Sequence, residues 1–382
     1  MRRHASGFSL IEMMIAIMLG LMITGAVISM FVGSRTAYQQ TSGVANMTDS
    51  GRFALNFIEE SARAASNLSC SHGTFNSVIS NLNSAASPLT FDFRYGIGGF
   101  EATGTAPGAA IALPANQAAG AGAGNWLVDQ ADPRIVAPTF PNMTTLGEFT
   151  AATAQQVANS DILILRSSLP GVIPVYLNAD TNGTGTIQVS SAGTLQTGQI
   201  VALSDCTKAV VFQISNAPAG APANVSFAAA GGPPGNLVNI MPVPFVAGAL
   251  LMPLTTSVYY IGQGQDGDTA LRRLDLNGSN GPGQFTDEEI APDIENMQVL
   301  YGIDTTGTLS PSQYVTADQV TQFDSVVAIK VAVLAAGPPN AGTGVVTAHL
   351  PYTLLDTTVT VPPDNRQRQV FTSQITLRSA VN

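Results

Sequence analysis

The sequence predicts an α+β fold in which one long N-terminal helix packs on an antiparallel β-sheet with large loop-rich insertions. Three observations lead to this prediction. An apolar run with a single charge covers residues 8–33, and apolar residues continue at helical spacing through residues 34–65. Beyond residue 160, short β-branched and aromatic segments alternate with Gly, Pro and Asn clusters, a pattern typical of strands and turns.

The composition argues against several classes of function. Charged residues make up only 10% of the 382 residues, and the formal net charge is −10. Because a negative protein is repelled by phosphate backbones, we expect no nucleic-acid partner. The three histidines are scattered, and there is no CxxC pair and no glycine-rich phosphate loop after a strand. The sequence therefore predicts no enzyme activity, no cofactor and no metal.

The run over residues 8–33 is long enough to cross a bilayer. At about 1.5 Å per residue a helix of this length spans roughly 39 Å. Its single charge is Glu12, and the basic residues Arg2 and Arg3 precede it. Because positive charge stays on the cytoplasmic side, we expect a cytoplasmic N-terminus and a periplasmic body, half of the helix being transmembrane.

The residues at the start of this run carry a processing motif. The string GFSLIE at positions 7–12, behind a basic leader, resembles the motif of class III prepilins. The resemblance implies that residues 1–7 are a leader removed by a prepilin peptidase after Gly7. It also implies that Phe8 becomes an N-methylated N-terminus.

Glu12 has two interpretations. It could pair with the Phe8 amine of its own chain and complement the positive end of the helix dipole. The family resemblance implies instead that Glu12 pairs with the Phe8 amine of a neighbouring subunit during assembly. Major pilins usually carry a proline where this sequence has Ser29. This departure favours a low-abundance, minor subunit.

The helix is expected to continue as an amphipathic periplasmic half over residues 34–65, followed by a β-rich globular domain over residues 66–382. The predicted buried stripe consists of Val44, Met47, Ala54, Leu55, Ile58, Ala62 and Ala65. We interpret residues 66–159 as loops with short strands near residues 89–95 and near Trp126, and residues 218–244 as another apolar, glycine-rich insertion. The clearest strands are predicted at 161–166, 172–177, 186–189, 200–203, 209–214, 258–261, 271–276, 297–303, 326–334 and 369–377.

Several of these segments resemble PilW-type minor pilins of the type IV pilus, namely residues 203–213, 257–261, 271–276, 294–304 and 365–378. The resemblance implies a pilin fold and a role in priming pilus assembly near the filament tip, in motility and adhesion. The implied partners are other minor pilins, the major pilin, the inner-membrane assembly platform and, as a further candidate, a tip adhesin. The implied location is the bacterial inner membrane, then the pilus at the cell surface.

Two other functions remain open at this point. A minor pseudopilin of a type II secretion system would carry a similar motif and fold. A membrane-anchored adhesin or glycan-binding module would place its ligand surface in the loop-rich region 70–160.

The two cysteines, Cys70 and Cys206, are 136 positions apart (206 − 70). In an oxidising compartment the expectation is one disulfide, and the alternative is two separate buried thiols.

Residues 178–186 have the spaced oxygens of a calcium loop but lack its final glutamate, so a turn is favoured. We interpret residues 265–268 as a hairpin turn and the acids at 287–289 as a solvated face.

Overall fold

The computed structural model describes residues 9–65, 78–83, 91, 93, 95–114, 157–177, 185–205, 207–229, 234–276, 285–338 and 349–377. The leader 1–7, Gly7, Phe8, Cys70 and Cys206 lie outside these residues, as does most of the predicted turn at 178–186. The described part contains one α-helix, α1 (Leu10–Ala64). Its strands are β1 (Val78–Ser80), β2 (Ile97–Phe100), β3 (Ala110–Ala112), β4 (Ile162–Ser168), β5 (Ile173–Pro174), β6 (Thr186–Val189), β7 (Ile200–Ser204), β8 (Ala209–Gln213), β9 (Ala223–Ser226), β10 (Leu250–Gln263), β11 (Thr269–Leu276), β12 (Phe285–Pro292), β13 (Ile294–Ile303), β14 (Gln313–Val315), β15 (Val326–Ala336), β16 (Tyr352–Leu354), β17 (Thr357–Thr360) and β18 (Arg368–Thr376).

The helix α1 is one uninterrupted element of 55 residues, about 82 Å long. It ends where Ala65 turns to an extended conformation and forms a bridge with Ser167 of β4. Only its second half is buried against the body, through Gly43, Met47, Gly51, Ala54, Leu55, Ile58 and Ala62. The long N-terminal helix and the mainly β body confirm the predicted α+β fold class.

The predicted stripe was wrong at Val44, which is 42% exposed. The buried line passes through Gly43 and Met47 instead. At this end of the helix the body covers only a narrow line, so a side chain one position to the side remains in solvent. Gly51 is a second buried position that the apolar pattern did not include.

The largest sheet in the described part has nine strands, and the long strand β10 is its central strand, which pairs with four others. The first residues of β10 pair with β5 and β7, and the later ones pair with β4 and β11. Pro253 lies where the partners change. Because proline has no N–H to donate, a position where one set of ladder bonds ends can accommodate it.

A four-stranded antiparallel sheet, in the order β14-β13-β15-β18, makes most of the contacts between the body and the second half of α1. The chain passes from β12 in the large sheet to β13 in this one through Asp293, whose φ is 59°. The buried face of α1, the inner residues of both sheets and the side chains of β10 form one hydrophobic core. The two sheets and the helix therefore make a single packed unit.

Two smaller sheets complete the body. Strands β16, β17 and β3 form a three-stranded sheet, in which β3 and β17 run parallel. It packs on Ala332 and Leu334 of β15. Strands β6 and β9 form an antiparallel pair over a separate core that includes residues of β5, β7 and β8.

All ten clear strand predictions overlap observed strands, although at 172–177 only Ile173–Pro174 is a strand. The predicted hairpin turn at 265–268 is confirmed, with the Gly264 N–H donating to the Asp268 carbonyl at 2.6 Å. The strand expected near 89–95 was wrong at the described positions, since β2 begins at Ile97. The strand expected near Trp126 lies outside the described residues. Strand β9 lies inside the glycine-rich insertion 218–244, where no strand was predicted.

Candidate assembly site

The first half of α1 is an apolar surface without a partner in this single chain. Every described residue from position 9 to 34 is exposed, including large side chains such as Leu10, Met22 and Phe31. By length and composition alone, this helix could span a membrane. Because so much apolar surface is unfavourable in water, the segment requires lipid or other helices around it.

The helix begins with a capping box formed by Ser9 and Glu12. The Ser9 hydroxyl accepts the Glu12 backbone N–H at 3.2 Å, and the Glu12 carboxylate accepts the Ser9 N–H at 3.1 Å. Two N–H groups that would otherwise lack partners are thereby satisfied. The carboxylate predicted to act in assembly also has a structural role at the helix start, which the sequence interpretation did not include.

The middle of the apolar half remains regular although it contains several weak helix formers. Gly20, Gly25 and Gly33 have open space where a Cβ would be, and α1 continues through Ser29 without a break. The Thr24 hydroxyl donates to the Gly20 carbonyl at 2.7 Å. This bond satisfies a polar group inside the apolar run, so that it does not face lipid unpaired.

The second half of α1 is fastened to the body by polar and aromatic contacts as well as by apolar packing. The Ser61 hydroxyl lies 2.6 Å from the Tyr259 hydroxyl of β10. The ring of Phe57 packs edge-on against Tyr259, with centroids 6.4 Å apart. The Arg273 guanidinium lies 4.8 Å from the centroid of the Phe57 ring. These contacts fix the direction in which the apolar half leaves the body.

Two arginines near the start of β18 join the two main sheets. Arg368 binds both carboxylate oxygens of Glu295 at 2.6 and 2.9 Å, and it also binds Asp364. Arg366 binds Asp293 and Asp268 at 2.6 and 3.1 Å. The bend at Asp293 and the hairpin at Asp268 are therefore tied to the last strand.

Burial and hydrogen bonding have opposite effects on the pKa of Arg368. Burial alone would lower the pKa of the Arg368 guanidinium, but its hydrogen bonds to Asp364 and Glu295 raise it above the ordinary value. Arg368 therefore stays charged, and its 1% exposed side chain depends on these acids for solvation.

The acids at positions 287–289 lie on β12 and have defined partners. Arg272 forms two hydrogen bonds to Asp287, at 3.1 and 2.9 Å, and Arg273 binds Glu288 at 2.9 Å. Asp287 and Glu288 are solvent-exposed, as expected, but their charge is compensated across the strand pair. The expectation was wrong at Glu289, whose side chain is only 16% exposed and accepts the Gln265 N–H. Among the described residues, no group of three or more His, Cys, Asp or Glu side chains could hold a metal ion.

Comparisons with known proteins match the two ends of the chain. Residues 258–379 match the family described as type IV pilus-assembly protein W, PilW, and residues 2–28 match the prokaryotic N-terminal methylation motif. No similar curated protein was found. Among solved structures, a type IV-like pilin from Thermus thermophilus is similar, with 18% identity over 49% of this chain and 86% of that chain. Its TM-score of 0.21 is too low to establish a shared fold.

Proposed function

We propose that this chain is a PilW-type minor pilin, and that it joins other minor pilins to prime type IV pilus assembly at the filament tip. The match to the methylation motif and the match to the PilW family support this proposal. The observation that carries the proposal is where the two matches lie. The PilW match covers the second part of β10 and all of β11–β18, which include the sheet that makes most of the contacts with the second half of α1. The methylation motif lies at the opposite end of the same helix.

The energetics of this function come from the exposed half of α1. In the membrane its apolar surface is solvated by lipid, and in a filament neighbouring helices would take the place of the lipid. Removal of residues 1–7 after Gly7 would place a new amine at Phe8, close to Glu12. A carboxylate without a partner is unfavourable in lipid, so pairing with a neighbour's amine would favour entry into the filament.

The proposal includes partners and a location. Prepilin peptidase would remove the leader while the N-terminus faces the cytoplasm and the body faces the periplasm. The body would then contact other minor pilins and the major pilin on the inner-membrane assembly platform. A tip adhesin is the further candidate partner.

The test is deletion of the gene, with surface pili and type II secretion both scored in the same strain. We expect surface piliation to fall strongly while secretion is unchanged, and a plasmid copy to restore pili. Loss of secretion with normal pili would indicate a pseudopilin instead. If both were normal, and the purified protein bound a glycan array, the chain would be an adhesin or glycan-binding module.

A further inference from the structure

Two carboxylic acids are buried together where the chain following β2 meets the body. Glu101 and Asp161 are each 2% exposed. The hydroxyl of Thr105 lies between them, 3.0 Å from Glu101 Oε1 and 3.5 Å from Asp161 Oδ1. Buried acids in this arrangement are unusual, because a charge removed from water requires compensation.

Asp161 connects two separate parts of the body. Its Oδ1 accepts the Ala102 N–H at 2.9 Å, and its Oδ2 accepts the Val299 N–H of β13 at 2.8 Å. Its own backbone N–H donates to the Met297 carbonyl at 2.9 Å. Asp161 thus holds the chain after β2 against β13.

The segment 101–112 is in turn coupled to the three-stranded sheet. The Thr357 hydroxyl of β17 donates to the Thr105 carbonyl at 2.5 Å. The Gly108 N–H donates to the Asp356 carbonyl at 2.9 Å, and β3 then pairs with β17. Whatever holds Glu101 and Asp161 in place therefore also positions this sheet on β15.

The groups around the pair add negative charge. Asp318, on the short 3-10 turn Ala317–Gln319, raises the pKa of both acids. Tyr301 of β13 is also close, and burial raises its own pKa well above the usual range, so it stays neutral. From the three-stranded sheet the pair meets the neutral Thr357, and the neighbouring Asp356 is exposed.

Burial is the main cause of the shifts. It raises the pKa of Glu101 to about 9, with a further contribution from the charge of Asp161. It raises the pKa of Asp161 to about 7, although the N–H groups of Ala102 and Val299 act in the opposite direction. At neutral pH the pair therefore holds at least one proton.

We propose that Glu101 and Asp161 form a proton-controlled latch that fastens the segment 101–112, and with it the three-stranded sheet, to β13. The latch is closed at acidic pH and is progressively weakened as pH rises. This device is independent of the assembly role and concerns the globular body alone.

The direction follows from linkage. An acid whose pKa is raised in the closed state stabilises that state fully below its ordinary pKa, and the stabilisation is lost as pH rises through the raised value. Between about pH 7 and 9, only Glu101 still releases a proton when the segment opens. Opening should therefore become about tenfold more favourable per pH unit in this window.

The experiment is backbone hydrogen exchange of residues 101–112 in the full chain in detergent micelles, with rates divided by the intrinsic rate at each pH. In the wild-type protein the opening constant should rise about tenfold per unit from pH 7 to 9. In Glu101→Gln, which keeps the shape and the acceptor for Thr105, this slope should disappear. In Asp356→Asn, which removes a nearby exposed acid, it should remain.

A slope that persists in Glu101→Gln, or is absent from the wild-type protein, would overturn the latch. If Glu101 acted only through packing, its substitution would change the opening constant equally at every pH. Should Glu101→Gln fail to fold, Asp318→Asn provides the decision. It retains both acids and removes a neighbouring negative charge, which should lower the pKa of Glu101 in the closed state. The opening constant should therefore stop rising at a lower pH than in the wild-type protein. If it stopped rising at the same pH, the proposal would be contradicted.

Discussion

The ring of Phe371 on β18 lies directly against the backbone of Gly51 in the second half of α1. A Cβ at position 51 would overlap three atoms of that ring. Glycine is normally unfavourable inside a helix by about 1 kcal/mol. Here it allows the helix and the sheet to approach closely, and this contact is central to the docking of α1.

The first prediction tests this approach. In most exposed helical positions Gly→Ala stabilises, but Gly51→Ala should destabilise the full chain in detergent by roughly 1–3 kcal/mol because the ring must move. In a Phe371→Ala background the same substitution should instead become stabilising, since the ring is gone and the helix propensity of alanine remains. Chemical unfolding of the four proteins measures both effects. The same sign in both backgrounds would contradict the contact.

The second prediction concerns the ion pair between Arg368 and Glu295. Arg368→Met leaves Glu295 buried without its partner, and we expect a loss of about 3–5 kcal/mol in the free energy of unfolding. Arg368→Lys should also be destabilising, because lysine cannot form the two parallel hydrogen bonds to Glu295.

A matched surface pair provides the control for Arg368. Arg63 is paired with Glu59 one turn away on α1, and the Arg63 side chain is 51% exposed. Arg63→Ala should change stability by no more than about 0.5 kcal/mol. If the Arg63 and Arg368 substitutions lowered the free energy of unfolding by similar amounts, burial would not explain the contribution of Arg368 to stability.

The elements that the sequence predicted best are those with a strong local pattern. The helix and the ten clear strands have apolar periodicity or β-branched runs of their own. Strand β12, in contrast, reads FTDEEIAP, and its acids are held in place by Arg272 and Arg273 on the neighbouring strand. Its structure depends on a partner that a local pattern cannot reveal.

The buried acids and Gly51 were missed for a related reason. Asp and Glu are almost always exposed, so nothing in the sequence distinguishes Glu101 and Asp161 from surface residues. A glycine within a helix weakens the helical pattern, although at Gly51 the close approach of β18 requires it. Both features arise from contacts between residues far apart in the chain. The assembly motif, by comparison, is local and was recognisable from six consecutive residues.

The third prediction separates the two roles of Glu12. Glu12→Gln keeps an oxygen that can accept the Ser9 N–H but removes the charge, while Ser9→Ala removes half of the capping box and keeps the charge. If Glu12 pairs with a neighbour's amine, Glu12→Gln should be inserted and cleaved normally but should not co-purify with other minor pilins. Ser9→Ala should assemble. The reverse pattern would indicate that capping alone matters.

The fourth prediction concerns processing, for which Gly7 and Phe8 are the residues at issue. Protein extracted from the membrane should have lost residues 1–7 and gained one methyl group on Phe8. Intact-mass measurement tests both changes at once. A Gly7→Leu variant should retain the leader, because the peptidase requires a small residue for close approach. Mature filaments that still contained residues 1–7 would rule out this route.

The last prediction is a disulfide between Cys70 and Cys206, which both lie outside the described residues. Strands β1 and β8 run parallel, with Val78 opposite Ala209. Cys70 precedes Val78 by eight residues, and Cys206 precedes Ala209 by three. Since parallel strands begin at the same edge, Val78 and Ala209 lie at the same end of this pair, and each follows one of the cysteines in the sequence.

A bridge there would close a loop that spans 136 positions (206 − 70), for which chain entropy gives about 4–5 kcal/mol at most. It would also tie the chain that follows α1 to the turn between β7 and β8. Peptide mapping without reductant should therefore recover one cross-linked pair, and the double Cys→Ser variant should unfold at a lower temperature. A Ser71→Ala variant is the control for substitution near the helix end and should be neutral. Two thiols that react with an alkylating reagent in protein from the periplasm would show that the cysteines are separate.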